Sequence, residues 1–280
     1  MANLPENLTI QTALIQYRAE RQLDFAAVAK QARVRVDQLE KIERGNFEGI
    51  EEHRLMRLWQ IINPAIYEQP VIETSNFNTV IKVCHAAQQH HLMVGLIGDT
   101  GLGKTTALNA YRRRANVFYV LYEKSMKPKQ FFASLMQEMG INLKGSIHEM
   151  VKRAAHELNS LTNPLIVIDE AGKLPVTLLM YLHDLRNLSQ GNAGIVLAGM
   201  PYFKVNMETW ISKQKEGVSE FYRRVQLWQE LQLPSKAEIR AICNLHGITD
   251  ADTIKAMQRH RDFGNLSNAI LLEKLMLNQL

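Results

Sequence analysis

Gly98-Asp99-Thr100-Gly101-Leu102-Gly103-Lys104-Thr105 is the stretch whose reading decides the fold. It fits G-x-x-x-x-G-K-[ST] at every fixed position. Its glycines let the backbone curl tightly, so that successive N–H groups point inward at phosphate oxygens. A helix predicted over residues 104–114 adds the partial positive charge of its N-terminus. In this pattern Lys104 reaches the β- and γ-phosphates, and the Thr105 hydroxyl helps hold Mg²⁺. Thr106 completes the run assigned to nucleotide. The flanks suit the motif, with an apolar strand predicted at 92–97 before it and a helix after it. ATP and Mg²⁺ are the implied cofactors.

Working outward, apolar runs at 117–122, 165–169 and 195–199 alternate with helical segments. Near-continuous apolar runs are expected of parallel strands covered on both faces. The run Leu165-Ile166-Val167-Ile168 ends in Asp169-Glu170. Acids at the carboxyl end of a parallel strand stand where ligands bind in open α/β sheets. Asp169 is therefore assigned to the Mg²⁺ shell and Glu170 to polarising the attacking water.

The rest of the chain is helical in pattern. Short amphipathic helices occupy about residues 9–63, Pro64 and Pro70 bracket an extended connector, and a helix runs over about 76–90. From about Pro234 helices return, with Ser235 as N-cap and Gly264 separating the last two. The predicted domains are 1–65, 66–232 and 233–280. Met257, Met276, Leu271, Leu272 and Leu275 read as core of the last of these. Cys84 and Cys243 are far apart and form no CxxC, which points to a reducing, cytoplasmic setting. Cys84-His85 and His90-His91 do not converge on a metal. The first residues lack a signal-peptide layout and no apolar run approaches a bilayer span, so no membrane association is expected.

With these motifs in place, the chain resembles the transposition-helper branch of AAA+ ATPases, the type of the phage Mu B protein, TnsC and TniB. The resemblance rests on Asp169-Glu170-Ala171, Leu174, Leu178, Leu182 and Leu185-Arg186, on Ile195-Val196-Leu197-Ala198-Gly199-Met200-Pro201, and on Phe221-Tyr222-Arg223-Arg224-Val225. It covers about residues 74–270. It implies an α/β fold: a P-loop AAA+ domain with a parallel sheet, preceded by a small all-α domain and followed by a helical lid. It also implies head-to-tail assembly, with Arg223 or Arg224 of one subunit touching its neighbour's γ-phosphate; a planar guanidinium suits that role. Two positions depart from the family. Gly199-Met200-Pro201 offers no polar side chain after the fourth strand, and Ser267 stands where the lid often carries an arginine. Losing polar contacts to the γ-phosphate or water implies slow hydrolysis.

Val28-Ala29-Lys30-Gln31-Ala32, Val34 and Leu39-Glu40-Lys41-Ile42-Glu43-Arg44-Gly45 resemble a Cro/repressor helix-turn-helix. Asp24 caps its second helix, Ala29 allows close packing, residues 37–44 form the recognition helix, and Arg33 replaces the usual turn glycine. Residues 1–65 carry nine Lys/Arg and nine Asp/Glu, so this module binds DNA weakly alone or serves as a protein-interaction bundle. Arg33, Arg35 and Lys41 are its candidate DNA contacts, with Lys30 and Arg44 nearby. The net charge of +5 permits a polyanion partner without requiring one. Residues 101–131 hold seven Lys/Arg against one acid. In the family the loop at 123–129 faces a channel for duplex DNA, so Lys124, Lys127 and Lys129 are candidate phosphate contacts that read no sequence.

The functional expectation is a protein that oligomerises as a filament or ring on double-stranded DNA, largely without sequence preference. It marks target DNA, recruits or activates a transposase, and disassembles on ATP hydrolysis. The rival is a helix-turn-helix transcriptional regulator with an ATP-sensing domain. A membrane-associated secretion ATPase is disfavoured by the lack of a spanning segment.

Overall fold

The computed structural model describes residues 7–21, 23–32, 34–62, 72–142 and 145–277. Arg33, the connector between Pro64 and Pro70, and the side chains of Lys30 and Met276 lie outside what is described. The chain divides into two units, Met1–Val71 and Ile72–Leu280.

The first unit holds α1 (Asn7–Arg21), α2 (Phe25–Ala32), α3 (Val36–Glu43) and α4 (Glu52–Ile62). Short helices are marginal alone, so their apolar faces must meet. Ile10, Leu14, Val28, Leu39, Ile42, Leu58 and Trp59 form that shared core. The Asp24 carboxylate accepts from Ala27 N at 2.7 Å and so starts α2. Arg18 lies over the Phe25 ring at 3.5 Å and also pairs with Glu43. It thereby links three helices with one guanidinium.

The second unit begins with α5 (Ser75–Gln89), capped by the Thr74 hydroxyl, which accepts from Phe77 N at 3.1 Å. Then follow β1 (Met93–Ile97), α6 (Lys104–Tyr111), β2 (Val117–Leu121), α7 (Pro128–Glu138) and α8 (Ile147–Ser160). After these come β3 (Leu165–Asp169), α9 (Val176–Leu188), β4 (Gly194–Gly199), α10 (Tyr202–Ser212), α11 (Val218–Arg224) and β5 (Val225–Glu230). The sheet order is β2-β3-β4-β1-β5 and all the pairings are parallel.

Strand side chains alternate between two cores, which is why the inner strands are apolar throughout. Val94, Leu96, Leu165, Val167, Val196 and Ala198 face α5 and α6. Met93, Ile97, Ile166, Ile168, Ile195 and Leu197 face α7, α8 and α9. Arg186 is buried at the foot of the sheet and donates to the carbonyls of His91 and Ala193. It ties the entries of β1 and β4 together.

Gly194 sits where α5 crosses β4 closely. A Cβ there would stand 2.2 Å from the Ala87 carbonyl oxygen, a backbone atom with little room to yield. Gly194→Ala is expected to destabilise the fold by about 3 kcal/mol, the upper range for overpacking, read as a lowered urea midpoint with the slope unchanged. An unchanged midpoint would show that this crossing is looser than it stands.

Three structural expectations are corrected. The sheet has a fifth strand, β5, which the apolar-run criterion misses: it is an edge strand reading Val-Gln-Leu-Trp-Gln-Glu, exposed along much of its length. Gly264 does not separate the last helices. It lies in the first turn of α14 (Phe263–Leu277), and the break after α13 (Ala251–Met257) is at residues 258–262. Leu271, Leu272 and Leu275 are exposed rather than core. Helix α14 turns Leu266 and Ile270 inward onto Ile239 and Cys243 of α12 (Lys236–Leu245) and onto Met257, and a helix can bury only one stripe in so small a bundle. Ser235 caps α12, accepting from Glu238 N at 3.2 Å.

Both cysteines are buried and free, and burial pushes the Cys84 thiol up to about 12. Among the described residues, no helix is long and apolar enough to cross a membrane.

Candidate nucleotide-binding site

The loop between β1 and α6 leaves the sheet at its carboxyl end. Gly98 N donates to the Gly199 carbonyl at 3.1 Å, fastening the loop's start to the end of β4. Gly101 and Gly103 have φ of +78° and +85°, a backbone conformation that side chains disfavour. Their turn leaves α6 starting at Lys104, with its first N–H groups free of intrahelical partners. The resulting curve of backbone N–H groups at a helix start suits an anion. Asp99 and Thr100 are exposed on its rim, Leu102 is buried beneath it, and Thr106 is exposed on the first turn of α6.

Lys104 is only 8% exposed. Its Nζ donates to the carbonyls of Gly98 at 2.5 Å and Asp99 at 2.8 Å, so the ammonium lies inside the curve of the loop. Burial lowers its pKa, and the charges of Asp169, Glu170 and Asp99 oppose that shift. Asp169, 1% exposed, ends β3. Its Oδ2 accepts from the Thr105 hydroxyl at 2.8 Å and from the Tyr119 hydroxyl at 3.0 Å. Its Oδ1 accepts from Glu170 N at 2.9 Å.

A buried carboxylate beside a threonine hydroxyl at a helix N-terminus is a hard-oxygen donor set, the kind that suits Mg²⁺ with phosphate. Glu170 has φ +61°, and its carboxylate pairs with Lys173 at 3.0 Å. It stands one residue beyond Asp169, at the carboxyl end of the sheet where the loop also leaves it.

Other groups complete the site. Phe263 N donates to the Gly101 carbonyl at 2.8 Å, and a Cβ on Gly101 would meet Asp262 at 2.7 Å, so the first residues of α14 rest on the loop. Asn76 Nδ2 donates to the carbonyls of Gln232 at 2.7 Å and Leu102 at 3.3 Å. Tyr119, Asn76 and Asp262 carry no sequence signal, because Tyr119 reaches Asp169, and Asn76 and Asp262 reach the loop, from distant elements outside any spaced motif. At the position lacking a polar residue, the Met200 sulfur accepts from the Thr100 hydroxyl at 3.6 Å, and Ser267 is exposed on α14.

The remaining candidates lie elsewhere. Arg223 and Arg224 end α11, just before β5, and border a surface cleft with His183 and Glu220. Val225 pairs with Met93 at the start of β1, whereas the phosphate loop follows Ile97. Five strand residues at ~3.3 Å each put about 16 Å between them, at opposite ends of the sheet. Lys124 and Lys127 are exposed on the turn after β2, and Lys129 lies in the first turn of α7 rather than in the loop. In the first unit Arg35 is engaged by Asp37 at 2.8 Å, and Lys41 is exposed near the end of α3.

A parallel sheet ordered 2-3-4-1-5, a glycine-rich phosphate loop motif after β1 and an acidic pair at the end of β3 define a P-loop domain of the AAA type. Residues 87–205 match the family described as AAA domain, and the chain carries such a domain. It is a distant homologue of the Mu-like prophage FluMu DNA transposition protein B of Haemophilus influenzae, 24% identical over 275 residues that cover 92% of each chain. Among solved structures it resembles the ORC2 protein of Aeropyrum pernix, described in ADPNP-ADP complexes, with a TM-score of 0.55 at 12% identity over 76% of this chain and 65% of that one. It also resembles the replication initiator DnaA bound to AMPPCP and single-stranded DNA, with a TM-score of 0.50 at 17% identity over 76% of this chain and 66% of that one. The chain thus spans about two thirds of these two proteins, and the likeness shows the fold.

Proposed function

We propose that this chain is an ATP-dependent DNA-binding protein of transposition, which assembles on target DNA, recruits or activates a transposase, and leaves the DNA as it hydrolyses ATP. The observation that carries the reading is the joining of two facts. The Thr105 hydroxyl and the Asp169 carboxylate meet beside a phosphate loop motif, and the chain containing them aligns over 92% of its length with a transposition protein B.

The chain's own groups have separable tasks. The loop N–H groups and Lys104 bind phosphate oxygens, while Thr105 and Asp169 hold Mg²⁺. Mg²⁺ held there would supply positive charge against the phosphates. Glu170 polarises the attacking water. Lys173 holds that carboxylate in an ion pair, and Met200 and Ser267 add no cation or strong donor. Slow turnover follows, which suits a timer of assembly rather than a motor.

Arg223 is exposed and Arg224 half-buried; burial first, and then the Arg224 charge, lowers the pKa of His183 and Arg186. Arg223 is therefore the group free to enter a neighbour's site, and its place at the far end of the sheet makes a contact in trans the productive one.

The exposed Lys124, Lys127 and Lys129 contact backbone phosphates of double-stranded DNA. Each phosphate contact contributes about 0.9 to the slope of log affinity against log salt. Replacing all three by alanine should lower that slope by about 2.7, equally for unrelated sequences. A slope unchanged in the triple variant would move the DNA contacts to another surface.

Electron microscopy with random-sequence duplex, with and without ATP, tests the whole reading. Nucleotide-dependent filaments or rings on DNA are expected. Monomers indifferent to DNA would overturn the assignment to transposition, and a sequence-specific footprint from the first unit alone would favour a transcriptional regulator.

A further inference from the structure

We propose that Tyr119 is a positioning residue for the metal-binding carboxylate, a second hydroxyl holding Asp169 beside that of Thr105. The inference rests on the nucleotide-site reading and goes beyond the phosphate loop and the acidic pair that define it.

Tyr119 lies on β2, paired with Val167, two residues short of Asp169 along β3. Two residues span about 6.6 Å of strand, and a tyrosine is long enough to cover that distance and end in a donor. Its ring is 7% exposed and packs in the core shared with α6. Its hydroxyl meets the same Asp169 oxygen as Thr105, at 3.0 and 2.8 Å. The Arg112 guanidinium covers the ring, 4.7 Å from its centroid. The main chain supports the same grip, since Tyr122 N donates to the Asp169 carbonyl at 3.0 Å. Burial and the charge of Asp169 push the Tyr119 hydroxyl above its ordinary value, so it stays a donor across the working pH range.

The consequence is orientational. With Oδ2 held by two hydroxyls and Oδ1 by Glu170 N, the carboxylate has one setting, and that setting fixes where the Thr105 oxygen points. Without the tyrosine hydroxyl, Oδ2 keeps only the Thr105 hydroxyl as a donor, and the carboxylate is held less firmly. The metal then meets a donor set that must be ordered as it binds. Partners of this type typically govern 10–100-fold in metal affinity or activity.

The test uses the full chain with Tyr119→Phe, which keeps the ring and deletes only the hydroxyl. Binding of a fluorescent ATP analogue is titrated in EDTA and across a Mg²⁺ series. The EDTA affinity should stay within about twofold of wild type, and half-saturating Mg²⁺ should rise about 10-fold. Mn²⁺ or excess Mg²⁺ should restore turnover. An unaltered Mg²⁺ requirement overturns the proposal, as does a lowered melting temperature with an unaltered requirement, which would make the contact merely structural. If wild-type binding itself ignores Mg²⁺, and Asp169→Asn changes nothing, both the proposal and the site reading beneath it fail. A normal wild-type requirement with an indifferent Tyr119→Phe removes the proposal alone.

Discussion

Lys104→Ala is expected to abolish ATP binding at micromolar nucleotide and, with it, ATP-dependent assembly on DNA. The Lys104 ammonium lies inside the phosphate cradle, held by the carbonyls of Gly98 and Asp99. Alanine removes the one full positive charge that the loop brings to the phosphates, leaving only backbone dipoles. Charge-assisted hydrogen bonds contribute about 1.5–3 kcal/mol each, so one or two lost contacts lower affinity by about 100-fold. The loss should be larger for ATP than for ADP, because the side chain serves the outer phosphates. Nearby acids sharpen the effect: Asp169, Glu170 and Asp99 all act on Lys104, and without it they repel the nucleotide uncompensated. Titration with a fluorescent nucleotide and sedimentation with duplex DNA would check both parts. If the variant coats DNA with wild-type affinity, nucleotide state and polymer state are not coupled in the way proposed.

Arg223→Ala is expected to reduce turnover by about 10³-fold, the lower range for a guanidinium supplied in trans, while each subunit binds ATP within about threefold of wild type. The separation follows from placement: Arg223 lies at the opposite end of the sheet from its own phosphate loop, so its loss leaves that loop intact. Arg224→Ala should affect rate less, since Arg224 is half-buried, and because its charge repels those of His183 and Arg186 its loss should not cost stability on that account. Mixing separates trans from cis. Lys104→Ala subunits offer an arginine but hold no nucleotide, and Arg223→Ala subunits hold nucleotide but offer no arginine. A mixture should recover measurable hydrolysis that neither shows alone. If removing both arginines leaves self-association and hydrolysis untouched, the shared-site mechanism is wrong even with ATP in its pocket.

The parts of this protein legible in its sequence share a physical trait: their conformation is decided within a few residues. The loop at 98–105 curls because glycine stands where left-handed backbone is required, and its charge sits at the next helix start. Strands β1 to β4 announce themselves because covering both faces demands apolar residues at every position. Asp24 and Ser235 start helices because a short oxygen-bearing side chain reaches a backbone N–H three residues on. Where the pattern mixes polar and apolar residues, as in β5, or where a helix has more leucines than one stripe can hold, as in α14, sequence periodicity no longer says what is covered.

By itself, then, the amino-acid order determined the sheet's inner strands, the phosphate loop and the acids placed at a strand's end, because these follow from local backbone geometry and from unbroken apolar runs. The tertiary structure alone decided which groups converge on that loop. Tyr119 reaches Asp169 from the neighbouring strand, Asn76 and Phe263 hold the loop from opposite ends of the second unit, and the arginines stand beyond reach of their own subunit's site. Such convergence depends on strand order and register, which bring together residues dozens of positions apart, and no spacing along the chain encodes that distance.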